Sequence, residues 1–408
     1  MPTNRFKTFA ISVYAGLPLE ESTTTSTALT PFVLRRGTAV YPETRQFREK
    51  LDDLYGAGFG FDIYKRGNYQ IVQFRMDIIH DQFVSSSDKL LAEGLRFLGQ
   101  TLAQPLLENG HFADKYVQAE KQTLKKRLEA IINEKGRYAA ERCLEEMCRN
   151  EAYRLNPLGQ ISDLPLLDAG GLYSRYQRWL EQANFDIYVV GDTTLEEVRG
   201  IVEAAFPKQQ GAPEAYKPVR DHHSVSQIHR VVERLEVNQG KLNMGLRAHT
   251  TYEDDSYPAM LLYNGILGAY PHSKLFINVR EKESLAYYAS SRLDGHKGIL
   301  ALQSGIEIVN YEKAVDIILK QLEAMREGEI STVELQQTKA MLTNQLKESQ
   351  DSAFEIIALD FNRVLSGKER TSSSLLEEIE KLQTEQIVQA ANRVELDTIY
   401  FLRDQKEG

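Results

Sequence analysis

The chain has 408 residues, of which 42% are apolar and 26% charged, and its net charge is −9. That composition supports a packed core and excludes a disordered or collagen-like chain; at roughly 100–200 residues per domain, two domains are expected. The acidic balance argues against non-specific nucleic-acid binding and suits basic or neutral peptide partners, or simple solubility.

The opening stretch, Met1-Pro-Thr-Asn-Arg-Phe-Lys7, enters an alternating pattern almost at once, without the pattern of a signal peptide. Thr8–Ala15 reads as a strand, so close to Met1 that this sequence is expected to lack an edge element ahead of it. Ala28–Arg36 follows as an apolar helix, closed by Gly37. Gly56-Ala-Gly-Phe-Gly-Phe61 superficially suggests a phosphate loop. It follows a helix and precedes a strand, the reverse of the dinucleotide-binding order, so a turn with close backbone approach is expected. Two strands then run to about Ile79. A long helical section carries Glu120, Arg127, Cys143 and Cys148. Five residues apart on a helix, the cysteines project about 140° away from each other. That disfavours a mutual disulfide and points to reduced, buried thiols, as in a reducing compartment.

Asn184–Asp192 reads as a buried strand ending in a turn, and Thr194–Phe206 as a helix capped by its threonine. Periodicity then stops, and Gly/Pro interruptions with polar filler make 208–218 the expected linker. His222, His223 and His229 cluster beside it. No pair among the eight histidines has the spacing His-x-x-x-His or His-x-x-Glu-His, so a surface loop is expected there rather than a metal site. The remainder repeats the first plan: a strand (Leu242–His249), an apolar helix (Pro258–Leu267), Gly268, two strands ending near Val309, and a long helical section. The reading is a duplicated α+β chain. Residues 1–207 and 219–408 each form a mostly antiparallel sheet with helices packed on one face. No apolar run reaches the length that spans a bilayer, and cytoplasmic location follows by default.

The most informative stretch is Ser273-Lys-Leu-Phe-Ile-Asn-Val-Arg280-Glu-Lys-Glu-Ser-Leu-Ala-Tyr287-Tyr. Helical spacing brings it to Arg280 and strand spacing carries it through Tyr287, so a cation and a phenol meet at a helix-to-strand junction. Polar groups at such junctions often act on substrates. The alternative is that Arg280 belongs to a solvated charge run and Tyr287 to a strand core. No Gly-x-Ser-x-Gly elbow and no Cys/His nucleophile arrangement is present.

The segment Ile266-Leu-Gly, Ser273-Lys-Leu-Phe, Val279-Arg-Glu-Lys and Leu285-Ala-Tyr287, together with Ile187-Tyr-Val-Val-Gly-Asp192, resembles the pitrilysin/insulinase family of zinc metallopeptidases. The branch it resembles most is that of mitochondrial processing peptidase and its bacterial relatives, and the order of elements agrees over nearly the whole chain. The resemblance implies a first-domain helix with His-x-x-Glu-His, whose histidines bind zinc from one helical face with the glutamate as general base. Here the matching helix reads Ala28-Leu-Thr-Pro-Phe-Val-Leu-Arg-Arg-Gly37-Thr38. Ala28 and Phe32 fall at the histidine positions and Pro31 at the glutamate. On the later ligand helix Arg127 falls at the ligand glutamate and Glu120 at its companion seven residues earlier; Glu129 lies close by. The resemblance thus implies a non-catalytic member with no metal and no other cofactor.

The arginine and tyrosine with which the family reaches bound peptide fall on Arg280 and Tyr287, which are implied to bind substrate. Some members work as heterodimers in which a motif-less subunit assists a zinc-bearing one. The implied partners are therefore a zinc-bearing peptidase subunit or a second copy of this chain, and a peptide substrate, with neither nucleic acid nor membrane. A structural or peptide-binding scaffold is the alternative; an autonomous metallopeptidase would require stoichiometric zinc. One departure stands out: the non-catalytic subunit of the mitochondrial enzyme has a long glycine-rich loop before this motif. Leu267–Ser273 is short, so gating by such a loop is not implied.

Overall fold

The first strand, β1 (Thr8–Pro18), is buried from Phe9 to Leu17, as a strand flanked on both edges and covered on both faces must be. The computed structural model, which describes residues 1–85, 89–206, 215–218 and 223–405, supplies the flanking strands. After α1 (Glu21–Leu34) and α2 (Thr44–Asp53) come β2 (Gly58–Arg66) and β3 (Tyr69–Ile79), then α3 (Leu90–Ala103). A short hairpin of β4 (Leu107–Glu108) and β5 (His111–Phe112) leads to α4 (Asp114–Asn133) and α5 (Lys135–Met147). Then follow α6 (Ala169–Gln182), β6 (Asn184–Val190) and α7 (Leu195–Ala205). The sheet order is β2-β3-β1-β6, antiparallel throughout, with Thr8 opposite Ile79 and Ala10 opposite Val190.

Side chains alternate across this sheet. One face carries Ile11, Val13, Phe74 and Met76 and receives α3, where Gly94 lets the helix approach Met76, Ile78 and Ile11. The other face is polar: the Gln73 amide donates to Ser12 Oγ at 3.2 Å and to Tyr14 Oη at 3.1 Å. The helix expected over Ala28–Arg36 begins a full two turns earlier, at Glu21. Its threonine-rich start reads as loop because hydroxyls compete for backbone groups. Here they bond along the helix instead: Thr24 Oγ1 to the Glu20 carbonyl at 2.6 Å, and Thr30 Oγ1 to that of Ser26 at 2.8 Å. With its hydroxyls satisfied, α1 is buried all round from Thr24 to Leu34.

The second sheet is built from β7 (His229–Arg234), β8 (Gly240–Arg247), β9 (Ala286–Asp294), β10 (Ile299–Ile306) and β11 (Glu395–Arg403). Its helices are α8 (Tyr257–Asn264), α9 (Tyr311–Arg326), α10 (Thr332–Glu348), α11 (Ala353–Ser366), α12 (Ser372–Lys381) and α13 (Thr384–Ala391). The order β7-β11-β8-β10-β9 is antiparallel except for the β7–β11 pair. Read from the other edge, β9-β10-β8-β11 matches β2-β3-β1-β6 strand for strand, so the duplicated α+β plan is present. Leu242, Met244, Leu246, Leu300, Leu302 and Phe401 form the face against which α8, α9, α12 and α13 pack.

The chain divides into two units that exchange segments. Residues 130–154 belong with the second and 351–358 with the first, rather than following the halves 1–207 and 219–408. Of the expected linker 208–218, residues 208–214 lie outside the described residues. The reason for the first exchange is α5. Its stripe Ala139, Cys143, Met147, spaced four apart as one helical face, covers the second sheet opposite the other helices. Ala139 and Cys143 meet Tyr400 and Leu402, and Gly245 leaves room for the Met147 sulfur. Both cysteines are buried and outside any disulfide, and burial pushes the Cys143 thiol well up.

Beyond α5, Glu151 is fixed by two buried cations, Arg247 Nη2 at 2.7 Å and Lys297 Nζ at 2.7 Å. Asp397 holds the other edge of Arg247 at 2.9 Å. Burial alone would raise the Glu151 carboxyl, but hydrogen bonds from Arg247 and Lys297 outweigh it and hold the group below the usual carboxylate range. A group depressed in the folded state contributes stability above its unfolded value, near 4.3 for glutamate, and loses it as pH falls through the folded one. Replacing Glu151 with Gln leaves Lys297 buried without its counter-charge, a change that costs about 3 kcal/mol. Chemical denaturation at neutral pH should show that loss. The variant should also have a flatter fall in melting temperature below about pH 4.3 than the parent. Parallel acid limbs for the two proteins would contradict the assignment.

Candidate functional site

The segment singled out in the sequence is irregular in the structure. From α8 the chain continues into a π-helical turn at Gly265–Ala269, and a second one spans Phe276–Lys282. Such wide turns recur at functional sites. Leu275 and Val279 point inward and are buried, which leaves Arg280 outside. Ser284 then takes a left-handed backbone (φ 51°), a conformation that a non-glycine residue adopts at a cost. The Leu285 N–H closes back on the Val279 carbonyl at 3.1 Å, and β9 begins.

Tyr287 lies at a β-bulge. Gly305 pairs with Tyr288 and Ile306 with Ala286, so Tyr287 has no opposite residue on β10. A bulge re-aims a side chain, and Tyr287 is 65% exposed on what is the edge strand of its sheet. The strand-core alternative for this tyrosine is thereby excluded. Its neighbour Tyr288 instead lies over Gly305, where a Cβ would run into the ring.

Within the run Arg280-Glu-Lys-Glu283, Lys282 donates to Asn278 Oδ1 at 3.1 Å and Glu283 pairs with Lys313 at 2.7 Å. Arg280 stacks on Phe276, its Cζ 4.5 Å from the ring centroid. No hydrogen bond or ion pair engages its guanidinium among the described residues. Stacking of this kind leaves the N–H edge available to a carbonyl or carboxylate.

Three supports of this junction carry no signal of their own in the sequence. Lys274, nearly buried, ion-pairs with Glu334 at 3.0 Å and donates to the Glu329 carbonyl. Asn278 donates to Gln321 Oε1 at 2.7 Å. Gly268 lies so close to β9 that a Cβ would sit 2.7 Å from the Ser291 backbone nitrogen. The repeat of Gly37 and Gly268 after corresponding helices is the one hint of the last.

The positions where the resemblance puts a zinc site lie in the first unit. Ala28, Pro31 and Phe32 are buried on α1. Phe32 belongs to an aromatic cluster, edge-on to Phe61 at 4.9 Å, and the Arg127 guanidinium lies 4.8 Å from its ring centroid. The structure thus brings Phe32 and Arg127 together. It does so as a cation on an aromatic face. Zinc does not fit this set, because methyl, pyrrolidine and phenyl groups offer no lone pair and a guanidinium remains charged. Glu120, seven residues before Arg127, is fully buried and accepts from Arg36 Nε.

Elsewhere, His223 faces Glu151 at 3.6 Å and His229 faces Glu146 at 3.4 Å, while His222 lies outside the described residues. Among the described residues no three His, Cys, Asp or Glu side chains gather as a metal site. Gly56 takes a positive φ of 71° at the turn into β2, and a Cβ on Gly58 would collide with the Asp77 carboxylate. This is the close-approach turn expected there. No helix among the described residues is long and apolar enough to cross a membrane.

Residues 167–342 match the family model described as Peptidase M16 inactive domain. The chain is 38% identical to a protein of Bacillus subtilis (strain 168) named probable inactive metalloprotease YmfF, over 98% of this chain and 94% of that protein. It is similar to the crystal structure of a conserved protein from Enterococcus faecalis V583, with a TM-score of 0.90 and 32% identity over 100% of this chain and 96% of that one. A peptidase M16 inactive domain from Pseudomonas fluorescens shares the fold, with a TM-score of 0.81 at 17% identity over 100% of this chain and 96% of that one.

Two measurements test the site. The purified chain is expected to contain zinc far below one ion per chain by emission spectroscopy, and a chelator should leave its melting temperature unchanged; stoichiometric zinc would refute the donor-set argument. Gly268→Ala should push β9 away from the second π-helical turn. A melting temperature lowered by several degrees, equivalent to about 1–3 kcal/mol, is expected, and wild-type stability would contradict the close contact.

Proposed function

The chain belongs to the M16 peptidase family, the pitrilysin/insulinase-type metallopeptidases, among its inactive members, and from that premise we propose that it is the non-catalytic subunit of a heterodimeric zinc peptidase. In this reading a zinc-bearing subunit of the same family performs the cleavage, and this chain contributes to binding the peptide. Arg280 orients the peptide through its carbonyls, and Tyr287 donates a hydrogen bond from its phenol to the oxygen that gains charge in the reaction. The proposed setting is the cytoplasm.

The observation that carries the reading is the state of the second-unit pair beside that of the first-unit positions. Ala28, Pro31, Phe32 and Arg127 supply no metal ligand. Arg280 and Tyr287 are both exposed, each is presented by an irregular piece of backbone, and among the described residues no hydrogen bond or ion pair engages the guanidinium stacked on Phe276.

The test is reconstitution. The chain alone should not cleave peptides; mixed with a His-x-x-Glu-His subunit recovered with it from the native host, it should. In that complex Arg280→Ala and Tyr287→Phe are each expected to lower kcat/KM by about tenfold or more without dispersing the complex on gel filtration. Full activity in both variants would leave the scaffold reading in its place.

A further inference from the structure

Where the resemblance leads to a divalent cation, the first unit carries an excess of positive charge. Four guanidiniums come from three helices: Arg35 and Arg36 at the end of α1, Arg48 on α2 and Arg127 on α4. One carboxylate answers them. Glu120 has a fully buried side chain, pairs with Arg36, and lies 3.6 Å from Arg35 Nη2. Its Oε2 receives no hydrogen bond.

The other two arginines are exposed, and among the described residues neither Arg48 nor Arg127 makes an ion pair or hydrogen bond. The other basic residues of α2 behave differently, since Arg45 pairs with Glu49 and Lys50 with Glu93. A helix C-terminus attracts cations, which accounts for Arg35 and Arg36 but not for residues arriving on α2 and α4. Burial holds the Arg35 guanidinium below its ordinary value. Glu120 opposes that shift, while Arg36, Arg127 and Arg48 add to it, so these charges act on one another.

Two phenylalanines set the geometry. Arg127 lies 4.8 Å from the centroid of Phe32, and Arg35 lies 5.3 Å from Phe32 and 5.4 Å from Phe61. A guanidinium held flat against a ring keeps its N–H edge free, and that edge meets a carboxylate in a two-point contact.

We propose that Arg35 and Arg127, which share the ring of Phe32, form an anion-binding site at the former metal position, and that its ligand is a carboxylate of a bound peptide. The anion site rests on the charge count and the geometry. Its assignment to a peptide rests on the proposed function, because peptides are what such a subunit would hold. The site's polarity has been reversed: a place that takes a cation in the catalytic members takes an anion here.

Fluorescence polarisation with the full chain alone tests this without any partner or proteolysis, so it can fail independently of the reconstitution. The probes are a labelled glutamate-rich decapeptide and its glutamine counterpart, each with a free or an amidated C-terminus. The glutamate peptide should bind about tenfold tighter than the glutamine peptide, or more, and weaken as salt is raised. Preference that survives amidation assigns the site to acidic side chains; preference that requires the free terminus assigns it to the C-terminal carboxylate. Arg127→Gln should weaken binding about tenfold with unchanged circular dichroism, while Arg45→Gln, whose guanidinium is already paired with Glu49, should not. Equal affinity for all four peptides, no binding of any, or wild-type binding by Arg127→Gln would overturn the proposal.

Discussion

A carboxylate held out of water must be answered by cations, and Glu120, fully buried, and Glu151, its side chain 6% exposed, impose that demand on the two units. Unpaired, either would carry a desolvation cost of several kcal/mol. Glu151 meets it with Arg247 and Lys297, both nearly buried themselves, so the segment 130–154 is held on the second sheet by charge as well as by the apolar stripe of α5. Glu120 meets it with Arg36 and, more loosely, Arg35. The first arrangement balances and closes. The second has more cations than its single carboxylate can neutralise, and the guanidiniums of Arg35 and Arg127 rest on phenylalanine rings. One physical rule thus yields a structural clamp in one unit and an open electrostatic surface in the other.

The duplicated sheets make the contrast more specific. β2 and β9 occupy the same edge of the same strand order, and each follows a helix-rich segment that begins after a glycine packed against neighbouring chain. In the first unit Phe32, Phe47, Phe59, Phe61 and Phe97 fill the region between α1, α2, α3 and β2 with tilted and edge-on rings. Phenylalanine at position 32 extends this aromatic layer where the resemblance places a ligand. Apolar burial is worth about 25 cal/mol per Å², so the loss of a metal site there need not have destabilised the unit. In the second unit the equivalent edge stays polar and exposed at Tyr287.

The fold class and the repeat were legible because long periodic helices and alternating strands state their own geometry. Thr194 as a helix cap and the turn at Gly56 were legible for the same reason: local chemistry decided them. The start of α1 was not, because Thr24, Ser26 and Thr30 each have two possible partners, and only the buried environment selects the helical one. The membership of α5 was not, because an Ala139–Cys143–Met147 stripe shows that a helix has an apolar face without showing which sheet it covers. Arg280 and Tyr287 could be picked out by residue type and spacing, yet the π-helical turns, the left-handed Ser284 and the bulge that present them depend on Gly268, Lys274 and Asn278 through contacts 20 to 60 residues away in sequence.

Those three irregularities share one junction, and each has a cost. A left-handed non-glycine residue alone stores on the order of 1 kcal/mol. A bulge forfeits a ladder position, and a π-helical turn gives up the tighter packing of an α-helix. A junction free of functional demands would shed them through single substitutions, such as glycine at 284, which relieves the first at once. Their coincidence on either side of Arg280 and Tyr287 has a simpler physical account. The wide turn sets the guanidinium on Phe276, the left-handed residue reverses the chain, and the bulge swings the phenol out of the strand alternation. Backbone strain is held where it turns two side chains away from the protein's own interior, and that exposure is what the proposed binding role of Arg280 and Tyr287 starts from.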